Sequence, residues 1–161
     1  MLIAVLADTH MPKGDRALPL ACRRVLKRAD LILHAGDFFA LSVLRSLELY
    51  APVVGVRGNV DQPEVRALLP ETRIVGAEGA RIAMVHDGGP AKDRARRLRK
   101  RFPDADAVVF GHSHVPQHEE RDGFQIFNPG SPTDKRRQPV HTMGVAIAEN
   151  GRLHFEIVEL D

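Results

Sequence analysis

Seven side chains able to ligate a metal fall at five places in the sequence, each where an apolar run gives out: Asp8 with His10, Asp37, Asn59, His86, and His112 with His114. Two of these places carry a pair at i, i+2, Asp8-Thr9-His10 and His112-Ser113-His114. In an extended segment such side chains point to the same side, so each pair is expected to converge if the chain stays extended. Two carboxylates, one amide and four imidazoles exceed what one ordinary metal takes from a protein when a position must stay open. They suffice for two metals if one carboxylate bridges, as in hydrolytic sites that hold their ions about 3.5–4 Å apart. Two divalent ions would outweigh the charges of Asp8 and Asp37, and the surplus suits a hydroxide and a phosphate ester. With no thiolate in the set and Cys22 far from every strand end, nitrogen and oxygen donors would hold manganese in the first instance, or iron, zinc, nickel or cobalt.

The elements that must position these residues are apolar runs rich in Val and Ile: LIAVLA (2–7), LILHAG (31–36), PVVGVRG (52–58), RIAMVHDG (81–88) and AVVFGH (107–112). Continuous rather than alternating apolarity predicts strands covered on both faces, hence an α/β core. Helices are expected over 17–28, 40–50 and 90–101, the middle one crossing between the second and third strands. In the last third, FQIFNPGS and HTMGVAIAENGRLHFEIVEL read as β-strands, with Asn150-Gly151 as a two-residue hairpin turn. Open α/β sheets bind ligands outside the carboxyl ends of their strands, which is where all seven candidates lie.

The chain of 161 residues is expected to form one domain, 1–161, large enough to bury a core without disulfides or structural metal. A hydrophobic share of 43% beside 27% charged residues is that of a soluble globular protein. The single Cys22 forms no internal disulfide, and MLIAVLA lacks the basic flank of a signal peptide, so a cytoplasmic protein is expected. A net charge of +2 gives no general reason to expect nucleic acid or a membrane as partner. RARRLRKRF, 94–102, with Leu98 and Phe102 four apart among basic residues, reads as the solvated face of an amphipathic helix, with the steering of an anionic partner as its alternative role.

Taken together, D-x-H at Asp8 to His10, G-D at Gly36-Asp37, G-N-x-D at Gly58 to Asp61, His86 after an apolar run, and G-H-x-H at Gly111 to His114 resemble the calcineurin-like metallophosphoesterase superfamily. NPGSP at 128–132 resembles a turn of its small bacterial and archaeal phosphodiesterase branch. The resemblance implies an α/β (α+β) fold, a four-layer α/β/β/α sandwich of two mixed sheets with helices outside. It also implies a division of labour in which Asp8, His10 and His114 hold one metal, Asn59, His86 and His112 the other, and Asp37 bridges. Phosphodiester bonds would then be hydrolysed by in-line attack of a hydroxide bridging the ions. Many members carry a histidine directly after the motif asparagine, where it protonates the leaving oxygen. Here that residue is Val60, a departure that favours diesters over monoesters with poor leaving groups, because proton donation contributes about 10²–10⁴-fold.

Arg57 is a candidate phosphate clamp and Asp61 a candidate for orienting a ligand from behind, with a turn or helix cap as its alternative role. Thr9 is expected to pack behind the ligands, Asp87 to end a strand, and His34 to be a satisfied core histidine. His118, His141 and His154 are expected to be structural, His118 being the one to test as a substitute acid. Arg136 and Arg137 are expected to be solvated. A small phosphodiester is the expected partner, and self-association through strand edges stays open. Two rival readings stand beside the diesterase. One is a phosphomonoesterase with another proton donor; the other is a protein-interaction scaffold such as the retromer subunit of the same fold, against which the intact ligand set argues.

Overall fold

A computed structural model describes residues 1–161. The five apolar runs form the strands β1 (Leu2–Leu6), β2 (Leu31–His34), β3 (Val53–Gly55), β5 (Ala80–Val85) and β6 (Ala107–Val109). Each stops one to three residues short of the expected end, because the last residues of each run turn away to carry the candidate ligands. The C-terminal third supplies β8 (Phe124–Asn128), β9 (Thr142–Glu149) and β10 (Arg152–Glu159). The three expected helices are α1 (Leu20–Leu26), α2 (Leu41–Glu48) and α4 (Arg94–Arg101). Pro19 occupies the N-cap of α1, and Gly88-Gly89-Pro90 delays α4, which explains their shortened starts.

Three elements had no apolar run to announce them. They are α3 (Pro63–Leu68), β4 (Thr72–Ala77) and β7 (Gln117–Arg121). Both strands are sheet edges, β4 half exposed and β7 mostly so, and β7 reads QHEER, the charged composition that discourages further pairing. Their turns did carry a signal. Glu78-Gly79 closes β4 on β5 and Asp122-Gly123 closes β7 on β8, each a two-residue loop with positive φ at both positions, like Asn150-Gly151 between β9 and β10.

The strands form two mixed five-stranded sheets, ordered β10-β9-β1-β2-β3 and β4-β5-β6-β8-β7. In each, the three strands nearest the candidate ligands run parallel: β1, β2, β3 in the first and β5, β6, β8 in the second. Alternation along β1 shows how the layers stack. Ile3 and Val5 join Ile82, Met84, Val109 and Phe127 in a core between the sheets. Ala4 and Leu6 face the other way, into a second core with Cys22 and Leu26 of α1, Leu47 of α2 and Val65 of α3. On the far face of the second sheet, Ala83, Val108 and Ile126 pack under Leu98 and Phe102 at α4. The result is the expected α/β/β/α four-layer sandwich. α4 turns its basic residues outward while burying Leu98, and no helix is long and apolar enough to cross a membrane.

Candidate metal centre

The seven candidate ligands gather at the carboxyl ends of the parallel strands, but not by extended backbone. φ is +55° at Asp8, +46° at His10, +60° at Asp37, +70° at His112 and +60° at His114. The expected convergence of each i, i+2 pair therefore fails for the late histidines. His114 packs against His10, their ring centres 5.0 Å apart, whereas His112 packs edge-on against His86 at 5.2 Å. Left-handed conformations of this kind cost about 1–3 kcal/mol each and persist only where the surroundings over-determine them.

Here the surroundings are hydrogen bonds between loops. The His112 amide donates to Asp8 Oδ2 at 2.9 Å, and the Ser131 hydroxyl donates to the Asp8 carbonyl at 2.8 Å. Thr133 Oγ1 donates to the Thr9 carbonyl at 2.6 Å, and Asn128 Nδ2 to the Gly111 carbonyl at 3.0 Å. The 128–133 turn thus braces both D-x-H and G-H-x-H from behind. Sequence reasoning noted this turn but assigned its residues no task.

With Oδ2 of Asp8 engaged, Oδ1 faces inward. Asp8 Oδ1, His10 Nε2 and His114 Nε2 are the buried side-chain polar atoms with no hydrogen-bond partner in the protein. Leaving such atoms unmatched costs about 1–3 kcal/mol each, so three at one spot mark the seat of a ligand that accepts lone pairs. Their chemistry fits a divalent cation. His114 Nε2 lies 3.6 Å and His10 Nε2 3.8 Å from Asp8 Oδ1. Ligand bonds of about 2.0–2.2 Å place neighbouring donors roughly 3–3.5 Å apart. The tautomer is set from behind, since His114 Nδ1 donates to the Asp134 carbonyl and leaves Nε2 its lone pair.

A second group adjoins the first. His86 Nδ1 donates to the Ala35 carbonyl at 2.7 Å, turning Nε2 towards Asn59 Oδ1 at 3.0 Å and Asp37 Oδ2 at 3.2 Å. His112 Nδ1 lies 3.1 Å from the same Asn59 oxygen. Asp37 Oδ2 is also 3.4 Å from His10 Nε2, which puts one carboxylate oxygen between the two groups. Its other oxygen is fixed by the Val60 amide at 3.0 Å. Asp8, His10 and His114 form one cluster of mutually close ligand atoms, and Asp8, Asp37 and His86 another.

In the cation-free protein these groups share protons tightly. Burial alone would lower His10, but the carboxylates of Asp37 and Asp8 prevail and raise it to about 9. His86 is likewise raised against its burial, chiefly by Asp37. Burial pushes Asp37 up, yet His10 and His86 hold it well below the usual carboxylate range. His114 is lowered by burial, which Asp8 only partly offsets.

Asp61 proves to be a clasp between loops. Its carboxylate accepts the amides of Gly58 at 2.7 Å, Phe39 at 2.8 Å and Asp37 at 3.2 Å. It is not the cap of α3, whose N-cap is Gln62. Burial raises its pKa against these backbone donors. Gly58 is required beside it, because a Cβ there would fall 2.0 Å from Asp37 Oδ1. Replacing Asp61 by alanine strands three amides and is expected to destabilise the protein by at least about 3 kcal/mol, with Asp61→Asn intermediate. Urea unfolding of the three proteins side by side checks this.

His34 is the satisfied core histidine expected. Nδ1 accepts from the Gly36 amide at 3.2 Å, Nε2 donates to Thr9 Oγ1 at 3.1 Å, and the ring stacks on Phe38 at 3.5 Å. Burial, helped by the neighbouring His86, lowers its pKa from 6.5 to about 3. Between those values only the unfolded chain binds this proton, so stability falls with decreasing pH by up to about 1.4 kcal/mol per unit. The stability gap between the parent and His34→Gln, measured in chelator, should narrow by about 2 kcal/mol from pH 7 to pH 5. A gap independent of pH would refute the neutral, buried assignment.

The remaining candidates separate cleanly. Arg57 lines an open cleft with Asn59, His86 and His112. Asp87 is exposed and accepts the Gly89 amide at 2.7 Å, two residues past the end of β5. His118 sits on β7, bonded to Gln125 at 2.8 Å and packed against Phe127 and Phe155, so it touches no candidate ligand and drops out as a substitute acid. His141 pairs with Asp161, His154 is exposed on β10, and Arg136 and Arg137 are exposed.

Known proteins resemble this chain in sequence and in fold. A probable metallophosphoesterase of Methanothermobacter thermautotrophicus is 33% identical over 160 residues, covering 98% of this chain and 92% of its own. Among solved structures, Entamoeba histolytica Vps29 complexed with Zn2+ superposes with a TM-score of 0.79 at 21% identity, each chain covered in full. A structure described as a novel archaeal phosphodiesterase superposes at 0.74 and 19% identity, covering 98% of this chain and all of its own. The model of the calcineurin-like phosphoesterase superfamily domain matches residues 1–151, and the chain therefore belongs to that superfamily.

Proposed function

We propose that the protein is a phosphodiesterase working with two divalent cations. Asp8, His10 and His114 would hold one, Asn59, His86 and His112 the other, and Asp37 both. The observation that carries this reading is the position of Asp37 Oδ2, within 3.4 Å of His10 Nε2 and 3.2 Å of His86 Nε2, beside three buried donor atoms that nothing in the protein satisfies. Bound there, the cations would supply a hydroxide nucleophile at neutral pH and offset charge developing on phosphorus. The chain's own part is to hold the seven donor side chains rigidly and to keep a cleft open beside Asn59, His86 and His112 for the ester. Val60, half-exposed next to Asn59, offers no proton to a leaving oxygen, which favours diesters whose leaving groups need none. The phosphodiesterase among the structural neighbours lends support, as does the Vps29 neighbour described as complexed with Zn2+, for metal binding by a protein of this fold. A complete donor set argues for an enzyme over a purely interacting scaffold. We take 1–161 as a single catalytic domain. Manganese is the first ion to test, then zinc, iron, nickel and cobalt. Buried Cys22, its thiol pushed up by burial to about 12, needs no oxidising compartment, in keeping with a cytoplasmic location.

The test is hydrolysis by protein reconstituted with each metal, comparing bis-p-nitrophenyl phosphate with p-nitrophenyl phosphate. Faster turnover of the diester is expected. Strong preference for the monoester would overturn the diesterase reading and leave the phosphomonoesterase one.

A further inference from the structure

The cleft beside the candidate metal centre has a wall that the seven ligands do not explain. It encloses about 450 Å³ and runs from Asn59, His86 and His112 out to Arg57, Arg66 and Arg101. These arginines come from three separate elements: the loop after β3, α3 and the end of α4. Val85 is the one apolar residue of the lining, so the cleft offers little surface for an acyl chain. Its recognition is chiefly by charge.

Two carboxylates also reach the cleft, Glu71 and Asp87, and they leave the three arginines in surplus. Asp87 turns one oxygen to the Gly89 amide. Glu71 lies between two of the arginines, 3.9 Å from Arg57 Nη2 and 3.8 Å from Arg101 Nη2, with a side chain 69% exposed. At those distances it is a loose, solvated counter-charge of the kind that contributes little. A phosphate, with more acceptor oxygens and a higher charge, would take two guanidinium forks in its place far better.

We infer that the arginines Arg57, Arg66 and Arg101 form a subsite for a second phosphate, so that the substrate is a small phosphodiester carrying a further phosphate group on the side of the cleft away from the metals, displacing Glu71 as it binds. The inference rests on the diesterase reading above and names its substrate class. The cleft's volume is that of a small-molecule site, which favours a compact bisphosphorylated ester over a polymer.

Two chromogenic diesters test it: the p-nitrophenyl ester of thymidine 5′-phosphate, and the same ester carrying a 3′-phosphate. Both lose p-nitrophenolate by cleavage of the same P–O bond, with water supplying the hydroxyl left on phosphorus. The metal-loaded protein should prefer the 3′-phosphorylated ester by roughly tenfold or more in kcat/KM, mainly through KM, since each charge-assisted fork is strong enough for a decade of affinity. Arg66→Ala combined with Arg101→Ala should bring that ratio towards one, whereas Glu71→Gln, which removes the competing carboxylate, should raise it. All three side chains are on the surface, and melting curves establish that the variants fold. Equal kcat/KM for the two esters in the parent, or a preference that survives the double arginine variant, overturns the subsite while leaving diesterase activity standing. Failure of the parent to release p-nitrophenolate from either ester overturns the diesterase reading itself.

Discussion

Asp37→Ala is expected to lower kcat for bis-p-nitrophenyl phosphate by about 10³-fold or more and to reduce the metal content from two ions per chain to one or fewer. The size follows from what the cations contribute: several kcal/mol of charge stabilisation, at about 1.4 kcal/mol per decade of rate. Asp37 Oδ2 is the carboxylate oxygen that comes closest to donors of both groups, 3.4 Å from His10 Nε2 and 3.2 Å from His86 Nε2, whereas Asp8 Oδ1 stands 3.9 Å from His86 Nε2, so the loss of Asp37 affects both seats at once. His86→Ala removes a donor of a single group and should spare part of the metal content. Mass spectrometry of the metals beside steady-state kinetics reads both quantities. An Asp37→Ala protein that kept two ions and activity within tenfold of the parent would sink the assignment.

The second large effect concerns Val60. The residue is 38% exposed beside Asn59, and its amide already holds Asp37 Oδ1 at 3.0 Å, a bond that histidine at this position can make equally well. Val60→His is therefore expected to fold normally and to place an imidazole where the resembled phosphatases carry one. Turnover of monoesters with poor leaving groups, such as phenyl phosphate, should rise by about 10²-fold, while bis-p-nitrophenyl phosphate, whose leaving group needs no proton, should change little. The gain should fall away as pH rises through the pKa of the new imidazole, because only the protonated ring can donate to the leaving oxygen. A variant that improved both ester types equally would point to altered binding rather than proton donation.

What could be read beforehand depended on how much burial each segment imposed. β1 and β2 are apolar at almost every residue because helices cover one side and a second sheet the other, and such runs are visible in any sequence. β4 and β7 lie at sheet edges, where solvent imposes no apolar pattern. Only the dipeptides Glu78-Gly79 and Asp122-Gly123 betrayed them. The ligand residues were legible by type and by position after strands, but the direction each side chain takes was not. Extended spacing placed His112 and His114 together, and the left-handed backbone at both sends them to different partners. That conformation depends on Asp8 and on the turn that carries Asn128 and Ser131, segments more than a hundred residues apart in the chain, so no local pattern contains it. The arginine wall was half visible: Arg57 stood beside a motif, but Arg66 and Arg101 reach the cleft only through the packing of α3 and α4.

The donors are divided between the two sheets: Asp8, His10, Asp37 and Asn59 follow strands of one, while His86, His112 and His114 follow strands of the other. Ions seated among them would rivet the halves of the sandwich along the rim where both sheets end, so loading and folding would be thermodynamically linked. At a hundredfold excess over its dissociation constant, each ion adds about 2.7 kcal/mol of resistance to unfolding. Melting temperature would then serve as a gauge of metal supply, and starvation for the ion would expose the chain to proteolysis before substrate ran short.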